Sequence, residues 1–534
     1  MKKTVFYFFI IATIFAAICF TWRPFYPATA PQNTGEITKY GAFLAAQHAI
    51  YVNDFEKASD FAKVFSDVSY ETPRRAYCLA EFLGGNLPDS PEKLAKSTDA
   101  TSRLIYDAYL VRNDKWDDLY NRHKPDKSAL YAPLRIWAAI AKNRITETLK
   151  YVDTIESNPS WRAFIRGQIY AETGDTKRAA AEFAKVSADF MNINDYVYIM
   201  SFYNAHNMPD AAENLHKDFT ASPAGMFMAD YNDFPEWMVF SGFKNALAFN
   251  FIQNVSHTKI ILFSDLSVLM LRFAQIITPD NTWLGHSIDY YMGQFFSNMG
   301  GDYQAHFENL DPSNPFYLFA QMRIAEETDD IAVLRDIVSQ APLFIPAINK
   351  LVAIYTGAGD KKAALRVINN ALENDALSAS GRVYLTKRRA LVYFLFDDLN
   401  RAQADIHTAS KHNKLDTEIL TIQARIWAAQ GREIENAYNY AMSMIKHDPT
   451  DIVAWDTLAV VVSVREGNDE ALDILRRVGR TANSCSALFE HLGDAYAANG
   501  DKELAAEAYL RAIELSSDGL SVEPQIRKKL RKVR

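Results

Sequence analysis

Residues that could bind a metal or act as nucleophiles are present in this chain, but their spacing does not assemble a site. The 534 residues include 11 histidines and 3 cysteines. His206 and His216 lie ten positions apart, and His407 and His412 lie five apart, so neither pair shares one helical face as two metal ligands would. The cysteines form no CxxC pair and no disulfide framework. We therefore expect no metal and no cofactor.

Pairs of adjacent carboxylates, which could act as general acid and base, occur at residues 117–118, 329–330 and 397–398. Each pair stands where a turn between helices is expected, and aspartate is favoured there because it caps the next helix. The chain also lacks GxxxxGK[ST], GxGxxG after a strand, HExxH and GxSxG. These observations predict a protein that is not an enzyme.

The composition is that of a folded protein with more than one unit. Hydrophobic residues make up 49% of the chain, and 534 residues exceed one compact core, so several domains or a repeat array are expected. The 57 basic and 65 acidic residues leave a formal net charge of −8. This balance has no overall basic footprint, and we expect no nucleic acid partner.

The elements that organise the chain are helix pairs near its end. In residues 487–517, small and bulky residues recur at helical spacing on two helices, with a turn at residues 499–501 between them. Gly493 and Ala505 are small because the two helices are expected to approach closely there. The recurring positions are Phe489, Leu492, Gly493, Tyr496, Ala505, Tyr509 and Ala512. The same positions 34 residues earlier hold Trp455, Leu458, Ala459, Val462, Ala471, Leu475 and Val478, and a further shift of 34 finds Ala437 and Ala441.

This spacing resembles the tetratricopeptide repeat, a helix–turn–helix unit of 34 residues. The resemblance implies an all-α, right-handed superhelical solenoid and an extended concave platform for a protein partner. In that family the first helix of each unit lines the concave face. The corresponding candidate binding residues here are Asn349, Tyr384, Lys387, Asp456, Glu490 and Asp494. The family's clamp for C-terminal carboxylates uses Lys, Asn and Arg. The matching positions hold Ile422, Asp456 and Glu490, so no clamp is expected.

The first 23 residues have the pattern of a membrane segment. Lys2 and Lys3 precede an apolar run from Val5 to Phe20, and the basic start favours an N-terminus inside with the remainder exported. The chain also resembles the long exported tetratricopeptide proteins of bacterial envelopes. We therefore expect a single-pass inner-membrane protein with its repeats in the periplasm. The alternative is cleavage near residues 28–30 and a soluble periplasmic or secreted protein.

The pattern divides the chain into six segments. Helix pairs like the late repeats return at residues 161–188, whereas prolines and glycines interrupt residues 221–285. The segments are a signal-anchor helix at 1–23, a linker at 24–38, an N-terminal degenerate array at 39–220, an irregular aromatic-rich junction at 221–285, a C-terminal array at 286–522 and a basic capping helix at 523–534. The basic residues of that last helix are either solvated or in contact with anionic lipid or an acidic partner.

Residues 227–319 are rich in aromatic side chains and contain 20 of them. Two interpretations remain open: the rings fill the core of irregular helices, or some of them line a groove for a peptide or glycan. The candidate groove residues are Trp237, Trp283, Tyr290 and Tyr291. The apolar stretch 260–277 contains Asp265 and Arg272, which favours a buried helix over a second membrane span.

These patterns favour a non-enzymatic protein-binding scaffold or assembly factor of the bacterial cell envelope, acting through the concave face of the solenoid. The alternative is a regulatory or binding subunit of envelope polysaccharide synthesis or export, with the aromatic residues in contact with glycan. Both hypotheses place the N-terminal helix in the inner membrane. The partner recovered by crosslinking, polypeptide alone or glycan with its synthase, distinguishes them.

Overall fold

The computed structural model describes most of the chain from residue 37 onward. The described residues are 37–67, 70–97, 99–124, 131–222, 224–228, 231, 233–257, 265–328, 330–412, 416–480 and 484–534. Within these ranges the regular structure is entirely helical, without a strand. None of the helices described has the length and apolar character to cross a membrane. The predicted membrane segment, residues 1–23, lies outside the described residues.

The first eleven α-helices form successive pairs, except that a 3₁₀ turn at Pro91–Leu94 takes the place of a second helix after α3. They are α1 (Lys39–Tyr51), α2 (Phe55–Lys63), α3 (Glu71–Leu83), α4 (Ala100–Arg112), α5 (Trp116–His123), α6 (Ala132–Ala141), α7 (Ile145–Thr154), α8 (Pro159–Glu172), α9 (Thr176–Phe183), α10 (Ile193–Ala205) and α11 (Pro209–Ala221).

A loop with a 3₁₀ turn at Trp237–Val239 leads to the middle helices. These are α12 (Phe243–His257), α13 (Asp265–Ile277), α14 (Thr282–Met299), α15 (Gln304–Glu308), α16 (Tyr317–Glu327) and α17 (Ile331–Gln340). The central residues of α13, among them Leu271 and Phe273, are fully buried, as expected for a buried helix.

Pairs of helices then continue to the end of the chain. They are α18 (Ile345–Gly357), α19 (Lys361–Leu372), α20 (Ala379–Leu395), α21 (Leu399–Ser410), α22 (Thr417–Ala429), α23 (Ile434–His447), α24 (Ile452–Arg465), α25 (Asn468–Gly479), α26 (Ser486–Ala498), α27 (Lys502–Leu515) and, after a 3₁₀ turn at Ser516–Asp518, α28 (Glu523–Val533). This succession of pairs confirms the predicted all-α solenoid.

The turns within the pairs reuse one backbone geometry. Gly174 and Gly359 have φ of 80° and 83°, in the left-handed region that glycine adopts without strain. The next residues, Asp175 and Asp360, cap the second helix by accepting a backbone N–H three positions ahead, at 3.0 and 2.8 Å. The same place in other pairs is taken by Asn53, Asp114, Asn143, Asn207 and Asp397. The acidic residues at 397–398 therefore belong to a turn.

Small residues let the two helices of a pair approach each other. A Cβ on Gly493 would lie 2.5 Å from the ring of Tyr509, so that ring lies directly on the glycine. Gly167 and Phe183 repeat the arrangement in α8 and α9. Ala505 is fully buried beside the same contact. The two helices approach closely, as predicted, because the ring of Tyr509 packs directly on Gly493.

The core differs between the two halves of the chain. Buried side chains from Ala42 to Phe296 form one continuous cluster. After residue 316 the buried side chains form separate clusters, each within one or two neighbouring helix pairs. The predicted division at residues 221–285 stays a prediction, but α12 and α13 within it belong to the first cluster.

Candidate binding surfaces

The first helices of the N-terminal pairs are covered by α12, α13 and α14, which we call the filling helices. Trp137 on α6 donates its Nε1–H to Asn250 at 2.7 Å, and Asn250 donates in turn to Gln168 on α8 at 2.8 Å. Arg112 at the end of α4 donates to the carbonyl of Ile276 at 2.9 Å. The inner face of this array is therefore occupied by the chain itself.

A buried carboxylate fixes the end of α12. Asp195 on α10 accepts from Gln253 at 2.7 Å, and its other oxygen lies 2.6 Å from Nε2 of His257. Burial opposes a charge on His257, but the paired carboxylate of Asp195 outweighs it and raises the pKa of that imidazole. These bonds hold α12 against the first helices, so the filling helices are built into the array.

The candidate aromatic residues belong largely to this core. Trp283 and Tyr291 are each 8% exposed. Tyr290 is half-buried and stacks on Phe316 with 4.5 Å between ring centroids. Trp237 is also half-buried and packs edge-on against Tyr198 and Phe202 at the margin of the cluster. A ligand could reach Trp237 without opening the core, whereas Trp283 and Tyr291 are enclosed by the chain.

The predicted concave-face residue Asp456 lies on a first helix, α24, but is fully buried. Its carboxylate accepts from Arg425 at 2.7 Å and lies 2.8 Å from Nδ1 of His491. Burial alone would raise the pKa of Asp456, but His491 and Arg425 outweigh it and hold that pKa below its usual value. The same contact raises the pKa of His491 against its burial. Asp456 therefore joins three consecutive first helices and is not available to a partner.

Glu490 and Asp494, on the first helix α26, are paired within the chain. Nζ of Lys529 on α28 lies 2.7 Å from Glu490 and 2.6 Å from Asp494. Tyr509 donates its hydroxyl to the other oxygen of Asp494 at 2.8 Å. Burial of Lys529 lowers its pKa, but the carboxylates of Glu490 and Asp494 outweigh this effect, and the pKa is raised. These candidate residues therefore attach the last helix to the last repeat.

Tyr384 and Lys387 lie on α20, where the two halves of the chain meet. They border a cavity of about 310 Å³ together with Met226 from the loop after α11. Lys387 is 8% exposed and its Nζ lies 2.9 Å from both Asp416 and Glu418. Tyr384 is half-buried, as is the remaining candidate on α18, Asn349. Tyr384 is therefore accessible from the cavity, whereas the charge of Lys387 is balanced within the chain.

The inner face of the C-terminal array is crossed by residues 516–525, which we call the crossing segment. A Cβ on Gly357 of α18 would collide with the carbonyl oxygen of Ser516. Asp518 accepts from both the backbone N–H and the hydroxyl of Ser486 on α26, at 2.8 and 2.6 Å. Gln525 donates to the carbonyl of Leu395 at 3.1 Å. At α18, α20 and α26 the inner face is therefore contacted by the chain itself, where the sequence leads one to expect an open platform.

An open cavity of about 760 Å³ lies at the edge of the N-terminal array. Trp116 packs edge-on against Phe243 with 6.1 Å between ring centroids, and Met238 is 75% exposed. Nζ of Lys244 lies 2.9 Å from Asp114. We call this cavity the rim cleft; it is lined by Arg112, Asp114, Trp116, Met238, Val239, Gly242, Phe243, Lys244, Asn245, Ile277, Thr278, Pro279, Asp280, Asn281 and Thr282.

A half-buried glutamate, Glu172, supports one wall of the rim cleft. The N–H of Gly242 donates to Oε2 of Glu172 at 2.8 Å. Burial raises the pKa of Glu172 from 4.5 to about 7, although the Gly242 N–H opposes the shift. The burial of Glu172 therefore outweighs the hydrogen bond from Gly242 in setting its pKa.

The rim cleft does not follow from the sequence pattern because its walls come from segments more than a hundred residues apart. A partial signal is present: Trp237 and Met238 stand in a loop bounded by Pro235 and Gly242, and large apolar residues in a loop often make contacts. No group of His, Cys, Asp and Glu able to hold a metal occurs among the described residues. Burial raises the pKa of the Cys78 and Cys485 thiols, to about 11 and about 12.

The final helix pair matches a known family. Residues 487–518 match the family model of the tetratricopeptide repeat, which confirms the predicted repeat. The chain is thus an α-helical repeat protein that contains a tetratricopeptide repeat.

Solved structures of similar shape are distant in sequence. The crystal structure of the APC/C hetero-tetramer Cut9–Hcn1 aligns with a TM-score of 0.33 and 11% identity, covering 93% of this chain and 96% of that one. Yeast Tom70 aligns with a TM-score of 0.33 and 12% identity, covering 81% of this chain and 95% of that one. No curated protein sequence matches the chain. Likenesses this distant carry no inference about a partner or an activity.

Proposed function

We propose that this chain is a non-enzymatic protein-binding scaffold of the bacterial cell envelope, and that the rim cleft receives a segment of its partner. The observation that carries this proposal is the rim cleft itself. Its volume of about 760 Å³ is that of a ligand-sized site. Tryptophan, arginine and methionine are enriched in the centres of protein interfaces, and the cleft holds Trp116, Arg112 and Met238.

The choice of the rim cleft is also supported because other parts of the chain occupy much of the inner faces of the repeats. In the described residues the filling helices cover the first helices of the N-terminal array, and the crossing segment contacts α18, α20 and α26 of the C-terminal array. A partner therefore meets the edges and outer surfaces of the repeats. Among these the rim cleft combines an open volume, exposed apolar area and side chains of both charges.

Crosslinking from the rim cleft tests the proposal. A photoreactive residue in place of Met238 should capture one polypeptide from a membrane fraction. The matched control is Met442 on α23, which is also exposed, at 40%, but lies outside the cleft. Capture that is equal from positions 238 and 442 would contradict the proposed site. Recovery of glycan together with its synthase would instead support the alternative, a subunit of polysaccharide synthesis or export.

A charge placed in the cleft provides a second measurement. Met238→Asp should weaken recovery of the partner by roughly thirtyfold, the effect of losing an interface anchor. Its melting temperature should be unchanged because the side chain is exposed. Met442→Asp should leave both quantities unchanged. Loss of recovery in both variants would show that the cleft is not the site.

The proposed location rests on the sequence alone. Lys2, Lys3 and the apolar run from Val5 to Phe20 favour an N-in anchor in the inner membrane with the repeats in the periplasm. A reporter enzyme that is active only in the cytoplasm should be silent when fused at residue 40. Activity there would contradict the topology. Retention after a carbonate wash supports an anchor, and full release supports a cleaved signal.

A further inference from the structure

The last helix, α28, packs against the final repeat through one side only. Ile526 and Leu530 are 0% and 6% exposed and join the cluster of Ala505 and Tyr509. Lys529 also turns inward, to the carboxylates on α26 described above. Two apolar side chains and one ion-paired lysine therefore account for the docking of α28.

The opposite side of α28 carries what we call the basic face, made of Arg527, Lys528, Arg531, Lys532 and Arg534. All five residues are exposed. Arg527 pairs with Glu523 at 2.6 Å. Within the described chain no aspartate or glutamate carboxylate lies within ion-pairing distance of the other four. Residues 523–534 carry a net charge of +5 in a chain whose total is −8.

Folding of the final repeat does not account for the basic face. Cations favour a helix in its last turn, where they complement the dipole. Arg531 and Lys532 lie in that turn, but Arg527 and Lys528 do not. Arg527 and Arg531 are four positions apart, as are Lys528 and Lys532, and like charges at this spacing destabilise a helix. The exposed charge of this cluster is therefore available to an anionic partner outside the chain.

We propose that the basic face docks on a bilayer surface that contains anionic phospholipid. Its residues span two helical turns, about 11 Å, on the outer side of the last helix. The face has no aromatic ring on which nucleic acid bases could stack, and it lines neither the rim cleft nor the cavity beside α26 and α27. A row of flexible cations without a pocket suits a layer of headgroups.

This inference rests on the membrane location in the proposed function. An N-terminal anchor holds the chain beside the bilayer, so the basic face meets headgroups at a high effective concentration and a weak electrostatic contact is sufficient. The contact orients the far end of the array toward the membrane.

Vesicle binding in trans tests the basic face. The full chain is held by its N-terminus in nanodiscs of phosphatidylcholine and is then sedimented with separate vesicles. Vesicles with about 30% phosphatidylglycerol should bind it, and vesicles of phosphatidylcholine alone should not. The variant Lys528→Gln/Arg531→Gln/Lys532→Gln should bind about a hundredfold more weakly. About 0.5 M salt should release the unaltered chain, because it shortens the Debye length to about 4 Å.

A matched control removes three lysines elsewhere. Lys57→Gln/Lys63→Gln/Lys177→Gln lowers the net charge equally on exposed positions of α2 and α9, and it should bind the anionic vesicles like the unaltered chain. Equal binding to both kinds of vesicle, or unchanged binding of the basic-face variant, overturns the proposal. Binding to RNA or polyglutamate without binding to anionic vesicles overturns it as well.

The two proposals fail in different ways in this assay. A chain that does not enter nanodiscs has no anchor, and the proposed location then fails. The soluble chain can still be sedimented directly with the two kinds of vesicle, so the basic face is tested in either case. The salt comparison uses the unaltered chain, and a folding defect in the variant therefore cannot decide the result.

Discussion

Glu172 links the chemistry of one side chain to the wall of the rim cleft. Its Oε2 accepts the N–H of Gly242, while Oε1 is buried and has no hydrogen-bond partner among the described residues. Burial raises its pKa from 4.5 to about 7. The difference between these values corresponds to about 3 kcal/mol between the two protonation states. Ionisation of Glu172 should therefore destabilise the packing that buries it between α8 and the loop at residues 237–242, because the loss of solvation outweighs the stronger hydrogen bond from Gly242.

The direction of the pH effect follows from the raised pKa. A group whose folded-state pKa lies above the unfolded value contributes stability that is complete below about pH 4.5 and is lost as the pH rises through about 7. Glu172→Gln keeps the shape of the side chain and an acceptor for Gly242 but cannot ionise. We expect the variant to exceed the unaltered chain by about 3 kcal/mol near pH 8 and by little near pH 4.5.

Hydrogen exchange measures this difference locally, which matters because a repeat array does not unfold in a single step. Peptides from α8 and residues 237–257 should be protected about a hundredfold more in Glu172→Gln than in the unaltered chain near pH 8. The control is Glu213→Gln, an exposed glutamate on α11. A ratio between variant and unaltered chain that does not change with pH would refute the reasoning, as would greater protection of the unaltered chain near pH 8.

Three further substitutions test the packing. Asp456→Ala should cost about 3–5 kcal/mol because it leaves Arg425 buried without its partner; chemical denaturation of the C-terminal array measures it. Ala505→Leu should cost about 1–3 kcal/mol by overpacking, with faster hydrogen exchange confined to neighbouring repeats. Gly357→Ala should displace the crossing segment and accelerate exchange in residues 516–525, whereas unchanged exchange there would contradict the contact with Ser516.

Local rules account for the part of the fold that the sequence predicts. The spacing around Gly493 and Tyr509 predicts a close helix pair, and the pair is present because a ring needs a glycine opposite it. The turns are predictable for the same reason: a glycine or asparagine adopts positive φ, and an aspartate caps the next helix. Each of these rules involves residues within one repeat, so the sequence of a single repeat is sufficient to predict its helix pair and turn.

Which segments pack on the inner faces of the repeats cannot be predicted from local sequence. Periodicity indicates which side of a helix is apolar but not which distant segment packs there. The sequence does indicate that α12 is enclosed by other helices. Apolar residues from Ala246 to Val255 lie on every side of this helix, and a helix that is apolar all round is buried. Asn250 and Gln253 would be costly inside that helix without partners, and Trp137, Gln168 and Asp195 supply them from distant helices.

The candidate binding residues illustrate the same difference. The 34-residue repeat places Asp456, Glu490 and Asp494 on first helices, as predicted, but it contains no information about their partners. The partner of Asp456 is 31 positions earlier and that of Glu490 is 39 positions later. Both carboxylates form ion pairs within the chain. The rim cleft was inaccessible to prediction for a related reason, since Trp116 and Phe243 meet only when α12 packs against α6.

The two ways of covering an inner face have different consequences for how the chain responds to a partner. In the N-terminal half, the filling helices join α3 to α10 into one continuous core, so a disturbance at any pair is shared by all of them. In the described C-terminal half the buried clusters lie within neighbouring helix pairs, and the crossing segment connects α18 with α26. We therefore expect the proposed partner at the rim cleft to meet a stiff unit whose conformation changes little on binding. We expect conformational change to be confined to the C-terminal repeats, where release of a few contacts around Gly357 and Asp518 would free successive pairs to move.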